Sequence, residues 1–321
     1  MFRFIAMACM LCLSCYAHAW GFFGHQKINY HAVFLLPPDM LVFFKPNIDF
    51  LSAHAVDPDK RRYLLEQEGP RHYIDLDHYG PAPYSSLPRD WKSALAACSE
   101  DSLLRYGIGP WWIQVMLERL TLAFRAKDPE RILQYAAELG HYVADIHVPL
   151  HACSNHNGQL TGQHGIHGFW ESRVPELLAE KEWDFLIGQA SYCKDPLAMV
   201  WNRVIQSAAG ADTVLQTEKK LRAQFSSDQV YAYEERKGQL VRQFSSAYTL
   251  AYDQLLAGMV ERRMRASIEG VASLWLTAWV NAGQPPLVSL SRKSFTPQAV
   301  LSLQQLEEAY KNNRIKGREH D

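Results

Sequence analysis

Apolar residues recur every three or four positions through most of the chain, and that spacing predicts one helix after another. After Asp128-Pro129-Glu130, residues Ile132, Tyr135, Ala136, Leu139 and Val143 follow at helical intervals. The Asp-Pro-Glu triplet is itself a helix start: a capping carboxylate, a proline where no amide hydrogen is needed, and an acid near the positive end of the helix. Pro110 opens a second segment, with Ile113, Leu117, Leu120 and Phe124 on one face. The longest periodic run covers about residues 238–282 and stops at Gly283, ahead of Pro285-Pro286, with a break expected near Gly258. No sustained apolar alternation with hairpin turns is found, so strands are not expected. Segments 66–88 and 153–165 are rich in Gly, Pro, His and Asn and read as loops. No internal repeat is evident. The pattern predicts an all-α fold, a single large multi-helical domain over residues 20–286. Residues 287–321 turn polar, with one amphipathic stretch at about 299–310, and read as a tail on the outside of that domain.

Composition sharpens this picture in three places. Of 321 residues, 48 % are hydrophobic, enough for a sizeable core. The formal net charge of -1 excludes a global basic field for nucleic acid or membrane, so any affinity for phosphate must be local. Residues 1–19 read as a signal peptide: Arg3, an apolar stretch over 5–15, then Ala17-His18-Ala19 as a cleavage site. The stretch is short for a membrane span. A retained anchor or a lipid on Cys15 are the alternatives to cleavage. With cleavage, the protein is expected to be secreted or periplasmic. Cys98, Cys153 and Cys193 would remain, allowing one disulfide at most and offering no CxxC metal knuckle.

The candidate chemistry lies in the thirteen histidines, which are unevenly placed. Cleavage after Ala19 frees the α-amine of Trp20, which can chelate a metal together with its own carbonyl, and His25 follows closely enough to join. The densest cluster is His141-Tyr-Val-Ala-Asp145-Ile-His147-Val-Pro-Leu-His151. His141 and Asp145 are four apart and share a helix face that is otherwise apolar, where an unpaired carboxylate would be costly. Pro149 ends or kinks the helix, which lets His151 turn toward a second ion. His147 reads as a supporting or core histidine rather than a ligand. His167 and Glu171 repeat the spacing of four. Asp57 and His72 lie upstream in polar surroundings. Imidazole and carboxylate are standard zinc donors.

Taken together, these motifs resemble those of the plant- and fungal-type single-strand-specific zinc nucleases and of their relatives, the bacterial zinc-dependent phospholipases C. The resemblance spans residues 20 to about 286 and rests on the N-terminal tryptophan, HxxxDxHxPLH and a later HxxxE. It implies a trinuclear zinc cleft. Asp57, His72, His141 and Asp145 would hold one ion, and His151, His167 and Glu171 a second. Trp20, His25 and a bridging Asp145 would hold a third. Glu171 stands where the nucleases usually carry aspartate and the phospholipases glutamate, and Val148 where the nucleases usually carry glutamine. Pro149-Leu150-His151, with His147, is nuclease-like. By the same resemblance Lys60 falls near the substrate phosphate, and Tyr73 and Asp75 where a base is stacked and hydrogen-bonded.

The implied activity is hydrolysis of phosphodiester bonds. Three zinc ions carry six positive charges and Asp57, Asp145 and Glu171 return three, leaving a pocket about three units positive in a nearly neutral protein. Metal-activated hydroxide would attack phosphorus, with Asp57 the candidate to orient or deprotonate the water. Single-stranded DNA or RNA is the expected substrate, phospholipid the alternative, and an exported helical metal-binding protein without catalysis the reading from another class. A di-iron carboxylate bundle is disfavoured, because Glu138-Leu-Gly-His141 has no second copy. A monomer with no stable protein partner is expected.

Overall fold

The computed structural model describes residues 21–236, 239–290, 295–316 and 318. It is 69 % helix and 3 % strand, which makes the protein all-α. At its centre is the helix Pro129–Asp145, started as the sequence predicts: the side chain of Asp128 accepts from the amide of Arg131 at 3.1 Å. Every residue from Ala136 to Asp145 is buried, so this helix is enclosed on all sides rather than on one stripe. Helices Gly21–Val33, Gly109–Ala126 and Met259–Asn281 enclose it.

Two buried side chains tie the layers to the backbone of this central helix. Trp275 Nε1 donates to the carbonyl of Ala136 at 2.9 Å, and Asn29 Nδ2 donates to Ala137 at 3.0 Å and to Leu51 at 3.1 Å. Asn29 can lie this close only because residue 140 is glycine; a Cβ there would stand 2.0 Å from Asn29 Oδ1. After Asp145 the helix stops, and Pro149–Ala152 forms one 3-10 turn, as expected where proline interrupts the hydrogen-bond ladder. The carbonyl of Ile146 is taken up by Ser207 Oγ at 2.6 Å, from the long helix Pro196–Arg222.

The expected long helix over 238–282 is a correction. Its break at Gly258 is where the pattern put it, with φ at +70° between helices Ser246–Leu255 and Met259–Asn281. Its first turns are instead a strand: Gln239–Phe244 pairs antiparallel with Tyr231–Arg236. Tyr231, Tyr233, Val241 and Phe244 favour an extended, half-packed ribbon. Tyr231 and Phe244 are directly opposed across it, ring centres 4.9 Å apart. Charged residues interrupt the apolar alternation, which hid the hairpin from the pattern.

The amphipathic tail forms the helix Pro297–Asn312. It is anchored at its start by Thr296, whose amide donates to Glu130 Oε2 at 2.7 Å. Among the described residues no helix is long and apolar enough to cross a membrane, and Cys98, Cys153 and Cys193 are all free thiols. The expected signal peptide lies outside the described residues.

Candidate metal centre

The C-terminal end of the central helix gathers donors from several parts of the chain. Asp145, at the last helical turn, directs Oδ1 toward His25 Nε2 at 3.3 Å. Its Oδ2 stands 3.0 Å from His72 Nδ1 and 3.3 Å from His141 Nε2. One carboxylate thus faces His25 through one oxygen and His72 with His141 through the other. His25 lies nearly parallel to His141, ring centres 3.8 Å apart. Gly21, which opens the helix carrying His25, rests against Ser172, one residue from Glu171.

The tautomer of His141 is fixed by a backbone oxygen, which can only accept. His141 Nδ1–H donates to Ala55 at 2.8 Å, so Nε2 is the atom turned to the cluster. His72 Nδ1 is 3.0 Å from that Nε2, which places two ring nitrogens and the Asp145 carboxylate around one point.

The second set is built the same way. His151 Nδ1–H donates to the carbonyl of His72 at 2.6 Å, which also ties this set to the first. His167 Nδ1–H donates to the carbonyl of His156 at 2.9 Å. The two Nε2 atoms then face each other at 3.2 Å, with Glu171 Oε2 at 3.0 Å from His167 and 3.6 Å from His151. His167 and Glu171 are brought to one side by an irregular segment, Ile166–Gly168 running into a π-turn at Phe169–Arg173. Such turns recur at functional sites because the extra residue re-aims a side chain.

All these groups are buried. Burial pushes the imidazoles of His72 and His151 well below the usual histidine range and that of His141 down to about 3. It raises the carboxyls of Asp59 and Asp145. Neutral imidazoles facing buried carboxylates form a donor set whose natural complement is a cation. Among the described residues, three groups have donor atoms mutually close enough to hold an ion, two of them sharing His141: His25 with His141 and Asp145, Asp59 with His72 and His141, and His151 with His167 and Glu171.

Asp57 is a correction. Besides Asp145, the carboxylate that reaches His72 and His141 is Asp59, 3.8 Å from each, and neither of its oxygens has a hydrogen-bond partner among the described residues. Asp57 pairs instead with His54 Nδ1 at 2.7 Å and Lys60 Nζ at 3.8 Å. Both aspartates lie in the short helix Asp57–Arg61, where residues two apart face different sides, so only one of them can point inward. Lys60 is not turned to the cluster either; it pairs with Glu307 at 2.9 Å. His147 is a core histidine, donating through Nδ1 to Val143 at 2.7 Å. Trp20 lies outside the described residues.

Tyr73 and Asp75 follow His72 closely and are buried. Asp75 meets Arg318 from the tail, whose guanidinium also lies over the Tyr73 ring. Sequence reasoning also missed the network behind His72: Glu68 accepts from Tyr142 and from Arg71, the latter at 2.6 Å, with His72 Nε2 at 3.7 Å from its Oε1. The spacing of four between Glu68 and His72 was the available signal.

No protein-family model matches this sequence, and no curated protein matches it. The candidate metal centre therefore stands on its geometry.

Proposed function

We propose that this chain is a zinc-dependent phosphodiester hydrolase acting on single-stranded nucleic acid, exported and cut after residue 19. The observation that supports the reading best is the pair of Nε2 atoms of His151 and His167, held face to face beside Glu171 while both Nδ1 atoms donate to backbone carbonyls. With Asp59 in the place expected of Asp57, the charge balance of the site is unchanged. Asp59, Asp145 and Glu171 return three of the six charges of three zinc ions, so the pocket still draws phosphate without a basic surface.

When bound, zinc supplies Lewis-acid polarisation of phosphoryl oxygens and lowers the pKa of a water toward ~7. In this reading Asp145 holds two imidazole sets in register, and Asp59 takes the orienting role expected of Asp57. Glu68 places a buried carboxylate 3.7 Å behind His72 Nε2, on the side away from the cluster. Tyr73 and Asp75 offer an aromatic face beside an acceptor edge, which suits a planar base with N–H groups. The Trp20 amine and carbonyl would complete a third site with His25 and Asp145.

The test is to compare zinc-loaded, signal-cleaved protein on single-stranded DNA and on phosphatidylcholine vesicles. Release of acid-soluble nucleotides, abolished by chelation, is expected. Head-group release alone would replace this substrate with phospholipid. Tight zinc binding with neither activity would leave a metal-binding protein without catalysis.

A further inference from the structure

The tail helix Pro297–Asn312 packs along the short helix Asp57–Arg61, which carries Asp59, and the residues after it run beside Arg62, Tyr63 and Leu64. Asn313 Nδ2 donates to the carbonyl of Tyr63 at 3.3 Å. The amide of Lys316 donates to the carbonyl of Arg62 at 2.9 Å, and its Nζ to that of Leu64 at 2.9 Å. Arg62, itself buried, donates in turn to the carbonyl of Arg318. These contacts deliver the Arg318 side chain into the site.

There its Nη1 donates to both oxygens of Asp75, at 3.0 and 2.8 Å, and its guanidinium carbon lies 4.1 Å from the centre of the Tyr73 ring. Its Nε stands 3.4 Å from His156 Nε2, and the carbonyl of His156 is the one that fixes His167. Arg318 thus lies on the residues that follow one ligand, His72, and against the residue that orients another. A flat, donor-rich group stacked on Tyr73 and bonded to Asp75 meets the same demands that a base would. The same tail takes up Lys60 through Glu307.

We propose that the C-terminal tail is a built-in competitor that closes the candidate substrate site, with Arg318 occupying the Tyr73–Asp75 subsite until substrate displaces it. The regulatory part rests on the hydrolase reading above; the docking of the tail does not. A tail lying loosely on an exposed surface would not need a buried carboxylate as its anchor, whereas Asp75 is buried and bonded by Arg318 from 243 positions away.

The experiment uses the full chain, as wild type, Arg318→Ala and Arg318→Lys, all loaded with zinc and checked for unchanged thermal unfolding. Hydrogen exchange at the Lys316 amide reports docking, and KM against kcat on a single-stranded oligonucleotide reports competition. Arg318→Ala is expected to quicken exchange at Lys316 at least tenfold and to lower KM severalfold at similar kcat, with Arg318→Lys between the two. Unchanged exchange overturns the proposal, and so does faster exchange at an unchanged KM. A raised KM or a lost kcat overturns it as well, since Arg318 would then belong to the substrate site itself. Faster exchange with no hydrolysis by any of the three proteins keeps the docked tail and removes the hydrolase reading.

Discussion

His151 and His167 present their Nε2 atoms to each other at 3.2 Å, each ring fixed by a bond from Nδ1 to a backbone carbonyl. In the neutral tautomers those bonds select, two lone pairs and a Glu171 oxygen converge on one point. A cation there turns repulsion into ligation. His167→Ala is expected to lower zinc affinity by about 100-fold or more and to abolish turnover. Metal content after dialysis against a weak chelator checks this.

The two aspartates of the short helix Asp57–Arg61 make a sharper pair of predictions. Asp59→Asn removes a buried carboxylate from the His72–His141 group and should lose zinc and activity together. Asp57→Asn breaks only the contacts to His54 and Lys60 and should keep its zinc. The opposite order of metal loss, measured side by side, would restore Asp57 as the ligand.

Much of the site was legible in sequence because helical spacing is a reliable ruler. His141 and Asp145, and His167 and Glu171, are four apart and do converge. The choice between Asp57 and Asp59 was not legible, since spacing alone does not say which side of a one-turn helix faces inward. The hairpin Tyr231–Arg236 with Gln239–Phe244 was masked by charged residues within an apparently helical run. The contact of Arg318 with Asp75 joins segments 243 positions apart, and no local pattern reports such a pair.

Gly140→Ala tests the packing behind the site. The added methyl would meet Asn29 Oδ1 in a buried position and disturb the two bonds from Asn29 to backbone carbonyls. A loss of ~1–3 kcal/mol in unfolding free energy is expected, measured by urea denaturation. No loss would mean that Asn29 can move aside freely.

Asp253 gives a pH test away from the candidate metal centre. Burial, with repulsion from Glu261 and Glu182, pushes its carboxyl up to about 6. The folded value lies above the unfolded one of about 3.9, so the ionised form is penalised only in the fold. That cost is absent below the unfolded value and grows until pH passes the folded value. Asp253→Asn should therefore stabilise the protein at neutral pH by about 1 kcal/mol, reduced by the water that still reaches the group. At about pH 4 the gain should vanish. An equal gain at both pH values would assign the effect to something other than ionisation.

The most direct measurement is a zinc titration of metal-stripped, signal-cleaved protein, followed by competition with a chromophoric chelator. Tight uptake of more than one ion per chain is expected, and close to three where the Trp20 amine and carbonyl join His25 and Asp145 at the third. A chain that binds no zinc tightly would contradict the account, because the buried histidines and carboxylates would then be a packed core and nothing more.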